Sequence, residues 1–282
     1  MIANIYRKKF RILTVLLAIL LFAAALLSYD LIAEYAVEFS ARTIPSYARE
    51  DLSAVLAKES FSQEDYTFLF RQTGLGRAAI DALERERIPE FQDALFYEGS
   101  PHHTKVTFFS KRDRMFYKGG DAPLAPLEAG DVLLSSATHT AGWRHGHAAI
   151  VLDSEGDLLE SIVVGRDSCI TKSGARWFTT TANFILLRLK DVSTRERAAV
   201  AEAARQNLVG VPYSLTVGIF SKKDQGDTPS ATQCAHIVWQ AFYNFGYDID
   251  SNGGALVTAR DIARSDLFEV VQVYGFDVDK LW

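Results

Sequence analysis

Cysteine is scarce in this chain: there are two in 282 residues, Cys169 and Cys234. One bridge is the most they could close, which excludes a disulfide framework. Histidine is sparse too, at six, and no H-E-x-x-H or C-x-x-C spacing occurs, so no metal ligand set is assigned. A formal net charge of −5 provides no basic excess to hold nucleic acid, and no such partner is expected. Acidic residues are missing from the N-terminus: none precedes Asp30, whereas Arg7, Lys8, Lys9 and Arg11 do. No cysteine lies near this segment, which excludes a lipidated cysteine as its anchor.

After the basic residues comes an uncharged, almost wholly apolar run from Ile12 to Tyr29. At about 1.5 Å per residue it is just long enough for a bilayer core of roughly 30 Å. The basic flank should stay in the cytoplasm, placing the remainder of the chain outside as a single-pass protein. A cleaved signal peptide is the rival, because Ala23-Ala24-Ala25 offers small residues at cleavage spacing. The helical pattern of LIAEYAVEF runs on past Asp30 and favours an uncleaved anchor, residues 1–29.

Residues 30–124 read as a helical region. Ser62 with Asp65 suits a helix start, Gly74 and Gly76 punctuate, and Pro89 and Pro101 break later segments. His102-His103 reads as a solvent-exposed loop pair. From about 125 to 282 the pattern shifts to period 2. GDVLLSS (130–136), HAAIVLD (147–153), LLESIVVG (158–165), FILLRLK (184–190) and DLFEVVQVYG (266–275) read as strands. STRERAAVAEAARQNLVG (193–210) reads as a helix with Ser193 and Glu196 as a capping box and Gly210 at its end. Strands with a few non-alternating helices indicate an α+β fold with a mainly antiparallel sheet packed against helices.

Cys234 begins a second helical stripe, continued by Ile237, Val238, Ala241, Phe242 and Phe245. Free N–H groups and the positive dipole end at a helix start favour a thiolate, although buried free cysteines also serve as small hydrophobes. A nucleophilic thiol needs a histidine, and that histidine needs an orienting group. His147 opens one strand on the face of Ala149 and Val151, and Glu160 shares a face with Leu158, Ile162 and Val164. The turn DSEGD (153–157) joins the two strands; with 149 opposite 160, His147 and Glu160 become diagonal neighbours. Each is a polar residue on an apolar face, costly unless it finds a partner. Glu160→Leu is accordingly expected to leave stability unchanged or raised. A structural His–Glu pair stays open beside a catalytic one.

The order LEAGDVLLSS, GHAAIVLD, LLESIVVG, GVPYSL, TQCAHIVWQAF resembles the circularly permuted, NlpC-type papain-like cysteine hydrolases, the YiiX-like group. The resemblance spans roughly residues 125–275. It implies a permuted papain-like fold in which Cys234 is the nucleophile, His147 the general base and Glu160 the orienting acid, with no cofactor. Gln233, Tyr213 and the Cys234 N–H become oxyanion candidates, and His145 competes with His147 as base. Where the family has serine and a polar residue after the cysteine, this chain has Ala235 and His236. A disulfide would disable the nucleophile, so both cysteines are expected free. Outside a bacterial membrane, cell-wall peptides are the most available amides, and hydrolysis there is the expected activity. Three alternatives stand beside it. One is a lipid ester or amide hydrolase or acyltransferase; another is an inactive papain-like binding module. The third is a metal site gathering His139, His145 and His147 with Glu160 or Asp131.

Overall fold

A computed structural model describes residues 2–38, 42–107 and 109–281. The first element, α1 (Ile2–Glu38), runs without a break through Asp30. Within it Phe10–Ala33, 24 residues, is long and apolar enough to cross a membrane by length and composition. At about 1.5 Å per residue that stretch covers some 36 Å.

Short helices follow: α2 (Ser53–Leu56), α3 (Gln63–Thr73), α4 (Arg77–Ala82) and α5 (Ile88–Leu95). The Ser62 side chain accepts from Asp65 N and the Asp65 carboxylate returns to Ser62 N, the cap read in the sequence. Within the region expected to be helical the chain also forms a hairpin, β1 (His102–Lys105) and β2 (Ser110–Arg114). These strands pair antiparallel, and β2 pairs with β4 (Thr138–Thr140) to complete a three-stranded sheet. His102 and His103 therefore lie on a strand and not in an exposed loop. HHTK and SKRDR carry no apolar alternation, so period alone could not mark them.

The main sheet has six antiparallel strands in the order β7-β6-β5-β3-β8-β9. They are β3 (Val132–Ser135), β5 (His147–Val151), β6 (Asp157–Glu160), β7 (Cys169–Lys172), β8 (Phe184–Leu189) and β9 (Phe268–Tyr274). α6 (Thr194–Asn207), α7 (Cys234–Tyr243) and α8 (Ala259–Ala263) cover one face, where Val132, Leu134, Ala148 and Ile150 pack with Val200, Ile237, Val238 and Phe242. The opposite face, carrying Leu133, Ala149, Val151 and Leu158, packs with Leu69, Leu75, Ile88 and Phe91 from α3–α5 and their connections. The α+β expectation, antiparallel sheet against helices, is borne out.

Residues 74–76 lie along the outer edge of β9, with Val273 N donating to Gly74 O and Gly76 N to Val271 O. A Cβ on Gly76 would sit 1.6 Å from Val270 O, so only glycine permits this approach. The edge is thus paired instead of open. In α6, Ser193 caps Glu196 N as expected; the reciprocal half of the box is not formed.

Candidate active site

His147 opens β5 and Glu160 closes β6. Ile150 faces Leu159 and Val151 faces Leu158, the register in which 149 stands against 160. Alternate residues of a strand share a face, so His147 and Glu160 meet on one side of the sheet. His147 Nε2 lies 2.8 Å from Glu160 Oε1, with His147 5% and Glu160 0% exposed. A carboxylate this deeply buried needs donors on both oxygens. Trp177 Nε1 donates to Oε1 at 3.0 Å and Thr171 Oγ1 to Oε2 at 2.5 Å. The indole of Trp177 also stacks on the His147 ring, centroids 5.6 Å apart. With Nε2–H held by the carboxylate, Nδ1 is the basic nitrogen of the ring.

Thr171 on β7 and Trp177, in the short helical turn Gly174–Phe178, were not found from sequence. A buried tryptophan needs an acceptor for its N–H, and that was the available signal. The sequence also carried the Glu160 strand on to Gly165. Instead β6 stops at Glu160, because Cys169 of β7 already pairs with it and 161–168 must turn the chain back. Val164 is accordingly 61% exposed and does not line the Glu160 face.

Cys234 is the first residue of α7 and is 8% exposed. Gln233 caps the helix: its Oε1 accepts from Ala235 N at 2.9 Å and from Cys234 Sγ at 3.4 Å. Its Nε2 donates to Val257 O at 2.7 Å, so the side-chain amide is engaged in capping and tethering. The Cys234 N–H belongs to the first turn, where no intrahelical acceptor exists. Tyr213 is bridged to Thr232 just before the helix, and burial, then the neighbouring Cys234, raises its phenol pKa. It stays a neutral hydroxyl at ordinary pH. α7 packs directly on β5. His147 and Glu160 are thus in contact on the face of the sheet that carries Ala149, Val151 and Leu158, while the Cys234 helix packs on the other face of the same strand, with Ala148 and Ile150. Neither Cys169 nor Cys234 is in a disulfide.

His145 does not join the pair. Its Nε2 meets Thr140 Oγ1 at 3.1 Å, its Nδ1 meets Gly146 O at 2.9 Å, and burial lowers its pKa. Ala235 packs in the core, while His236 binds Thr232 Oγ1 and Lys223 O. The grouping of His139, His145 and His147 with Glu160 or Asp131 is not formed. Its histidines go to different partners, His139 to Asp113, His145 to Thr140 and His147 to Glu160, while Asp131 is held by Arg188 through paired bonds of 2.8 and 2.7 Å.

No family model matches the chain. It is 28% identical over 163 residues to the uncharacterized protein YycO of Bacillus subtilis (strain 168), a match covering 55% of this chain. The chain spans 61% of YycO's length. The crystal structure of the metalloprotein YiiX from Escherichia coli O157:H7 has a TM-score of 0.36 and 14% identity, over 51% of this chain and 96% of YiiX.

Proposed function

We propose that the chain is a membrane-anchored cysteine hydrolase with a permuted papain-like site, cleaving an amide bond, most readily in cell-wall peptides outside a bacterial membrane. The observation that carries this reading is the buried Glu160, held by three donors and bonded to the first residue of the strand on which the Cys234 helix packs. In the reaction, His147 Nδ1 takes the thiol proton and Cys234 Sγ attacks the carbonyl carbon. The first-turn N–H groups of α7 face the oxygen charge that develops, with the Tyr213 hydroxyl beside them. The imidazolium returns its proton to the leaving nitrogen as the C–N bond breaks. A water molecule, deprotonated by the same imidazole, then hydrolyses the thioester. Glu160 fixes the tautomer and stabilises the imidazolium throughout.

A lipid ester or amide is the second reading, and a specific feature favours it. Leu215, Ile219 and Phe220, in the segment following Tyr213, are 62%, 55% and 86% exposed. Such a cluster suits an acyl chain or a bilayer surface as well as a peptide. The test incubates the full chain in detergent with peptidoglycan stem peptides and, separately, with phospholipid, and follows both by mass spectrometry. Cleavage of either, abolished in Cys234→Ser, supports the hydrolase; turnover that survives Cys234→Ser rules out the assigned nucleophile.

A further inference from the structure

The small sheet holds a second cluster of chemistry-bearing side chains, made by three strands. His103 of β1 stands directly opposite Asp113 of β2, and His139 of β4 pairs with Lys111, two residues before Asp113 on the same face. Both imidazoles converge on one carboxylate oxygen: His103 Nδ1 is 2.6 Å and His139 Nε2 is 3.1 Å from Asp113 Oδ1. The three ligand atoms all lie within 4.8 Å of one another. Asp113 and His139 are fully buried, whereas the His103 side chain is 20% exposed and forms the way in. Arg144 Nη1 meets the other oxygen, Asp113 Oδ2, at 2.7 Å.

We propose that His103, Asp113 and His139 bind a divalent transition-metal ion of the Zn²⁺ type. Two imidazole nitrogens and one carboxylate oxygen are a borderline donor set, matched to zinc and its first-row neighbours. Magnesium and calcium take mainly oxygen and do not match it. One histidine would satisfy a structural aspartate; two, sent from the strands on either side to the same oxygen, leave the ring nitrogens gathered as ligands. Arg144 serves as the outer ion pair that holds a ligating carboxylate by its second oxygen. The ion fastens β4 to β1 and β2. Gly146 N donates to Thr138 O, so the clamp sits at the base of the loop that delivers His147. Its role is to position that loop, and it stands independently of the hydrolase reading.

The test strips the full-length chain in detergent with a chelator, dialyses it, and titrates it with Zn²⁺ and with Co²⁺ as a spectroscopic probe. One equivalent should bind, raise the melting temperature, and give Co²⁺ bands of nitrogen and oxygen coordination without a thiolate transition. His103→Ala changes the partly exposed ligand and should fold; it should weaken binding by about 100-fold or more and lose the metal-dependent rise in melting temperature. Cys234→Ala should bind as the parent does. Failure to bind an equivalent, undiminished binding in His103→Ala, or loss of binding in Cys234→Ala would each overturn the proposal.

Discussion

Glu160 receives hydrogen bonds from His147, Thr171 and Trp177, and this inventory sets what each substitution does to it. In Glu160→Gln the amide oxygen keeps an acceptor for the indole and imidazole, and its NH2 can donate to the Thr171 hydroxyl. The variant should remain folded, within about 1–2 kcal/mol of the parent, and lose activity by orders of magnitude as the imidazolium loses its counter-charge. Glu160→Leu behaves differently from the sequence-based expectation. The apolar face was read as Leu158, Ile162 and Val164, with a histidine as the sole polar neighbour. Leucine instead strands a buried indole N–H and a hydroxyl as well, each costing about 1–3 kcal/mol, so clear destabilisation is expected. Thermal melts of the two variants, beside turnover, check this; a glutamine variant with full activity would contradict it. The His147–Glu160 contact was legible because two polar residues on apolar faces of one hairpin had to meet. Thr171 and Trp177 were not, since a donor's partner across the sheet leaves no mark in local spacing.

At the scale of elements, α7 carries a buried histidine where the resembled family has a polar residue. His236 is 2% exposed and lies between Thr232 Oγ1 and Lys223 O. Burial is the chief cause of its lowered pKa, which the bond to Lys223 O opposes, with the Lys223 charge lowering it and Asp224 raising it. A base held below its unfolded value binds fewer protons folded than unfolded. Its neutral form therefore supports full stability above the ordinary imidazole pKa of about 6.5, and stability falls as pH drops below that. His236→Gln offers the same donor and acceptor without the titration. Melting curves of parent and variant should run parallel above pH ~7 and diverge below ~6.5, the parent losing more; parallel curves throughout would contradict the assignment. The apolar stripe made α7 readable, as alternation did β3, β5, β8 and β9. The end of β6 was not, because IVVG after Glu160 has strand composition and is ended by where β7 begins to pair.

For the whole molecule, the two faces of the sheet bury different parts of the chain. Leu69, Leu75, Ile80, Ile88 and Phe91, all from the region before residue 125, are at most 3% exposed in the core beneath β3, β5 and β6. Burial of a large apolar side chain contributes about 1.5–3 kcal/mol, so removing these five costs on the order of 10 kcal/mol. That rivals the roughly 5–15 kcal/mol of a typical native protein. A fragment of residues 125–282 should therefore fail to give a cooperative melt, although it carries every proposed catalytic residue; a native-like melt would contradict this. The span Phe10–Ala33 follows a basic flank and should place the C-terminal body outside. Protease added to spheroplasts should digest that body, and full protection would reverse the topology.

The central claim is that Cys234 is an activated thiol served by His147. Cys169 is the more exposed of the two cysteines and Cys234 is 8% exposed, so accessibility alone favours alkylation at Cys169. Activation reverses that order. The most direct measurement is the rate of iodoacetamide labelling of each cysteine from pH 5 to 9 in the full-length chain, read by mass spectrometry, with His147→Ala beside it. Cys234 should label faster than Cys169 below pH 7, and His147→Ala should slow it at pH 6 by about tenfold or more. Faster labelling of Cys169, or a Cys234 rate unchanged by His147→Ala, would contradict the account.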